Sequence, residues 1–144
     1  MNNSFFQSIE HHKEGTSFHL NQVVDHLAFN EQGLIPVIVQ DVKTNQVLML
    51  AWMNKDTLMM TLNTKQMTYW SRTRRSIWKK GETSGNTQRL IDMSLDCDGD
   101  TLLCIVEQIG AACHTERPDC FYLNLDPNKN TVNIKVSPPA NHTI

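Results

Sequence analysis

Cys97, Cys113 and Cys120 stand around an acidic run in which Asp96, Asp98 and Asp100 alternate with Cys97 and Gly99, and side chains of these types gather where metal ions are held. Thiolates favour zinc, whereas clustered carboxylates favour magnesium or another oxygen-seeking cation. One short stretch therefore offers donors to two different sites. In an extended chain successive side chains point to opposite faces, which would put Asp96, Asp98 and Asp100 on one side and Cys97 on the other. The run is also made of turn residues, and taken alone it reads as a tight turn joining two strands.

Cys113 and Cys120 lie in loop-like sequence beside His114, Glu116, Arg117 and Asp119, a setting in which a thiolate is stabilised by metal or positive charge. Cys104, inside Leu102-Leu103-Cys104-Ile105-Val106, reads instead as a small apolar residue of a buried strand. Three thiolates leave a tetrahedral zinc one open position, which holds a water acidified to roughly pKa 7 and so supplies hydroxide at neutral pH. The spacings of 16 and 7 residues do not match the paired knuckles of a structural zinc ribbon. His114 is the candidate fourth ligand, or the group that moves protons beside the metal water. Arg72, Arg74, Arg75, Lys79 and Lys80 form a basic cluster next to the loop Gly81-Glu82-Thr83-Ser84-Gly85-Asn86. Phosphate suits such a setting, although a basic hairpin rim is more often plain solvated surface.

The elements that must position these groups are short. Ile35 to Asp41 and Val47 to Trp52 are apolar runs separated by the polar turn Lys43-Thr44-Asn45-Gln46, the pattern of a hairpin. Asn54 is a helix cap, with Leu58, Met59 and Leu62 on one side of a helix running through Leu62. Strands are expected at Thr68 to Ser71, Ile77-Trp78, Arg89 to Leu95, Thr101 to Ile109, Phe121 to Leu125 and Val132 to Val136. The sum is a strand-rich α+β single domain with a mostly antiparallel or mixed sheet and one main helix. Residues 1–30 form an N-terminal extension in which Phe18, Leu20, Val23, Val24 and Leu27 suit a short amphipathic helix, and 31–144 form the domain proper.

The chain has 144 residues, 40% of them hydrophobic, and a formal charge of -2, with a pI near 6.3. That balance disfavours non-specific binding to nucleic acid or an anionic membrane and suits a small polar substrate. No stretch approaches the roughly 18 apolar residues of a membrane span, and the start lacks the order of a secretory signal. A cytoplasmic setting is expected, in which cysteines stay reduced and free for metal or catalysis.

Taken together the residues resemble the phosphoribosyl-AMP cyclohydrolase family of histidine biosynthesis. The blocks that carry the likeness are Pro36 to Asp41, Val47 to Asn54, Tyr69 to Arg72, Trp78 to Asn86, Asp96 to Asp100, Ala112 to Thr115 and Cys120-Phe121. The resemblance covers residue 34 to about residue 123. It implies zinc on Cys97, Cys113 and Cys120, with Cys97 supplied by the partner in an intertwined homodimer, and magnesium on Asp96, Asp98 and Asp100. It further implies hydrolysis of the N1–C6 bond of the adenine ring of 1-(5-phosphoribosyl)-AMP by zinc-bound hydroxide. His114 would serve as proton shuttle, and Arg72, Lys79, Thr83, Ser84 and Gly85 would hold the phosphorylated substrate. Where the family often has Gly and Ser, this chain has Glu116 and Asp119. Nucleobase deaminases need H-x-E followed by P-C-x-x-C, and no such pair occurs here. A zinc-stabilised module that binds phosphorylated ligands without turnover is the rival from another class.

Overall fold

The computed structural model describes residues 3–136, so the last eight residues of the expected domain lie outside the described part. In chain order the elements are α1 (Ser4–Ile9), α2 (Leu20–Asp25), β1 (Ile35–Asp41), β2 (Val47–Met53), α3 (Lys55–Thr64), β3 (Thr68–Ser71), β4 (Ser76–Lys79), β5 (Gln88–Leu95), β6 (Leu102–Gln108), β7 (Leu123–Asp126) and β8 (Thr131–Ile134). The strand-rich α+β arrangement is present. Four strands form a mixed sheet in the order β2-β1-β6-β5, in which β1 runs antiparallel to β2 and parallel to β6. The pairs β3-β4 and β7-β8 are separate antiparallel ribbons. Among the described residues α3 is the one helix longer than six residues.

Local chemistry explains these boundaries. The β1–β2 turn closes because an Asp41 carboxylate oxygen accepts from both the N–H and the hydroxyl of Thr44, and Asn45 takes the left-handed conformation that asparagine tolerates. At the start of α3 the Asn54 side chain accepts from the Thr57 N–H, while the Thr57 hydroxyl accepts from the Asn54 N–H, a reciprocal cap. Leu58 from α3 is buried in the core, and Met59 and Leu62 pack against it. Thr61, also fully buried, accepts from the Thr68 N–H and so ties α3 to β3.

The core lies on one face of the sheet. Ile35, Val37 and Val39 of β1 and Cys104 and Val106 of β6 are fully buried there. Cys104 is thus a core residue, and burial, aided by the charge of Asp92, pushes its thiol up to about 12. The opposite face carries an apolar patch beside the polar Gln40, Asp92 and Ser94. Pro36 and Ile38 of β1 stand beside Trp52 and Leu50 of β2, and Leu103 and Ile105 of β6 complete the patch. Leu50 and Leu103 remain 49% and 38% exposed.

The N-terminal residues are anchored. α1, which has no counterpart in the sequence expectation, places Phe6 so close to Gly99 that a Cβ there would sit 2.1 Å from the ring. The Ala28 N–H donates to the Gly99 carbonyl, and Val24 and Leu27 join the core. β7 begins two residues later than expected because Phe121 and Tyr122 still belong to the preceding loop.

Candidate active site

A cleft of about 500 Å³ is lined by β4 residues and the loop that follows on one side and by residues 111–120 on the other. That is a size suited to a small molecule. Trp78, Lys79, Lys80, Thr83 and Ser84 line the first side, and Cys113, His114, Glu116 and Cys120 the second. Backbone bonds from Ala112 to Pro118 and from Cys113 to Arg117 fold the second loop back on itself, so that the thiols of Cys113 and Cys120 meet.

The far end of that loop is pinned to β2. The Cys120 N–H donates to the Leu48 carbonyl at 2.7 Å. Asp119 is only 4% exposed; it accepts from the Phe121 N–H at 2.7 Å and from the Gln46 side-chain amide. A serine at this position keeps the first of those bonds, and the aspartate adds the second. Glu116 has φ 68, the left-handed region.

The two thiols differ electrostatically. Burial works against ionising Cys113, but hydrogen bonds from Thr115, one of them from its hydroxyl at 3.0 Å, outweigh it together with Cys120 and the charge of Arg117, and the thiol lies below its ordinary range. Burial pushes Cys120 up to about 11, and the neighbouring Cys113 adds to the effect. The two thiols are thus shifted in opposite directions.

Asp96, Asp98 and Asp100 do gather, with one oxygen from each within 4.8 Å of the others. Strand alternation is not the reason, and that expectation is corrected. Residues 96–100 form the turn between β5 and β6, closed by bonds from the Gly99 N–H to the Asp96 carbonyl and from the Asp100 N–H to the Asp96 carboxylate. Burial works to raise Asp96, yet hydrogen bonds from Asp100, Thr101 and Asp98 hold it below the usual carboxylate range; Asp100 is raised, first by its bond to Asp96. Cys97 is exposed on this turn. Among the described residues no group of three metal donors within such reach includes Cys97, Cys113 or Cys120, so a single chain brings two of the three cysteines together.

The basic cluster divides. Arg74, Lys79 and Lys80 line the thiol cleft. Arg72 stacks over Trp52 at 4.6 Å and, with Arg75, borders a separate polar depression beside Asn30, Gln32 and Asn54. Thr83 and Ser84 reach the cleft, whereas the Gly85 N–H is already bonded to the Gly81 carbonyl. Lys80 and Asn86, which the sequence placed in the basic run and the adjoining loop, both line the cleft, as do Trp78 and Met49, for which the sequence offered no site role.

Comparison with known proteins gives one picture. Residues 49–122 match the family model described as phosphoribosyl-AMP cyclohydrolase. A phosphoribosyl-AMP cyclohydrolase of Alkalilimnicola ehrlichii is 51% identical over 121 residues, covering 84% of this chain and 85% of the relative. That of Alcanivorax borkumensis is 46% identical over 88% of this chain and 89% of its own. The archaeal one of Archaeoglobus fulgidus is 57% identical over 69% of this chain and 93% of its own.

Proposed function

Because the chain belongs to the phosphoribosyl-AMP cyclohydrolase family, hydrolases of histidine biosynthesis, we propose that it opens the N1–C6 bond of 1-(5-phosphoribosyl)-AMP in the cleft beside Cys113 and Cys120. The observation that carries this reading is the meeting of two thiols, His114 and the Lys79, Thr83 and Ser84 side in one cavity. Activity in this pathway follows from the family; the residue roles are our reading.

The donor set fits the metals the family resemblance implies. Two thiols in contact, one of them already inclined to ionise, are soft donors suited to zinc, with Cys97 of a second copy as the third. A zinc ion held there would supply water acidified to about pKa 7. Asp96, Asp98 and Asp100 offer only oxygen and would hold magnesium, whose charge offsets phosphate or ribose oxygens.

The chain's own groups do the rest. His114, exposed on the cleft next to Cys113, is placed to deliver a proton to the leaving ring nitrogen as the bond opens. Lys79 supplies charge, and Thr83 and Ser84 supply hydroxyl and backbone donors for phosphoryl oxygens. Arg72 would serve a more distant part of the substrate, or the site of the second copy, given its separate depression.

The homodimer is supported by the open apolar patch around Ile38, Leu50, Leu103 and Ile105, because parallel strand pairs such as β1-β6 are ordinarily covered on both sides. A cytoplasmic setting agrees with four cysteines left free. No helix of the described residues is long and apolar enough to cross a membrane.

The test is the ultraviolet change on ring opening with zinc-loaded protein and 1-(5-phosphoribosyl)-AMP, repeated after chelation. Turnover lost on chelation and regained with zinc is expected. An unchanged spectrum from fully loaded protein would point to a binding module instead.

A further inference from the structure

Lys80 is the only lysine or arginine among the described residues that is buried, at 8% exposure. Its neighbour Lys79, the lysine that the sequence favoured, is exposed. The Lys80 backbone N–H is fixed to the Met67 carbonyl at 3.0 Å. Its ammonium donates to the Ala112 carbonyl at 2.7 Å and stands 5.4 Å from the centre of the Trp78 ring. Ala112 precedes Cys113, so this bond holds the peptide that carries the first cleft thiol. Lys80 lines the cleft together with Cys113 and Cys120.

A buried cation needs a compensating charge to be stable, and a carbonyl supplies only a dipole. Three thiolates around a divalent cation leave a single net negative charge. We propose that Lys80 is a positioning residue of the thiol site, which orients the Cys113 backbone through Ala112 and offsets the excess negative charge of the loaded metal centre. The inference rests on the zinc reading given above and extends it to a residue outside the donor set. Groups that orient and balance metal ligands in this way commonly control affinity 10- to 100-fold.

The experiment is a titration of Zn²⁺ into the metal-free full-length protein against a chromophoric chelator, with circular dichroism and thermal unfolding of each metal-free variant alongside. Lys80→Met removes charge and hydrogen bond, Lys80→Gln removes the charge but keeps a donor, and Lys80→Arg keeps both. The expected result is zinc affinity lower by about 10- to 100-fold for Lys80→Met and Lys80→Gln, recovery to within a few-fold in Lys80→Arg, and no change in Lys79→Met. Should Lys80→Met fail to fold, Lys80→Gln decides. Wild-type affinity in Lys80→Gln, or a loss in Lys80→Arg as large as in Lys80→Gln, overturns the proposal. Cys113→Ser, run in parallel, separates the two levels. Zinc retained there defeats the metal site itself, whereas zinc lost there but unaffected by Lys80→Gln defeats only the role of Lys80.

Discussion

Glu116 has a φ of 68, in the left-handed region where glycine is at ease and a residue with a side chain is not. A residue with a Cβ is strained in that region by about 1 to 2 kcal/mol, of which the extra flexibility of an unfolded glycine cancels a part. Glu116→Gly is therefore expected to stabilise the metal-free protein by roughly 0.5 to 1 kcal/mol, visible as a rise of a few degrees in thermal midpoint. A fall in midpoint would mean that the glutamate side chain makes a contact worth more than the strain. The cleft residues separate by what each should lose. Cys120→Ser is expected to remove zinc and turnover together, because one of three thiolates is gone. His114→Ala should keep its zinc and lose turnover by about 10²- to 10⁴-fold, mainly in kcat. Metal analysis beside kinetics reads both. Wild-type turnover in His114→Ala would take the proton-transfer role from that ring.

At the level of elements, much was legible because the signals were local. The reciprocal cap at Asn54 and Thr57, the Lys43 to Gln46 turn and the continuous apolar runs of β1 and β6 each follow from neighbouring residues. What escaped depended on distant partners. α1 is only six residues long, and its register becomes meaningful only when Phe6 meets Gly99. Thr57 and Thr61 are polar, yet both are buried with satisfied hydroxyls. Nothing in a run of two lysines tells which one turns inward; the tight turn at Asp96 to Asp100, by contrast, was legible from its Asp and Gly residues. The loop after β4 offers a direct check on this kind of reasoning. A Cβ on Gly81 would lie 2.6 Å from the backbone of Asn86 and Thr87, whereas one on Gly85 meets nothing within 4 Å, although both have positive φ. Gly81→Ala should therefore cost about 2 to 4 kcal/mol of unfolding free energy and Gly85→Ala only about 1. Equal losses in chemical denaturation would show that this loop relaxes freely and that the close approach is not a constraint.

For the whole molecule the decisive question is where the third thiol comes from. The chain folds with Cys113 and Cys120 in contact and Cys97 exposed on a different turn, while the outer face of its sheet keeps an open apolar patch. A second copy answers both facts if its Cys97 turn completes the cleft. Neither Cys97→Ser nor Cys113→Ser should then be active alone. When the two variants are unfolded, mixed in equal amounts and refolded with zinc, half of the pairs are mixed. In each mixed pair one cleft combines an intact Cys113 and Cys120 with an intact Cys97 from the other copy. The second cleft lacks two ligands. Random pairing thus predicts recovery to about a quarter of wild-type activity and zinc content. Leu103→Asp, which puts a charge on the open sheet face, should abolish the recovery and shift the protein to monomer in sedimentation. If each cleft drew all its thiols from one chain, every site in the mixture would lack a ligand, and activity would stay at the level of the single variants.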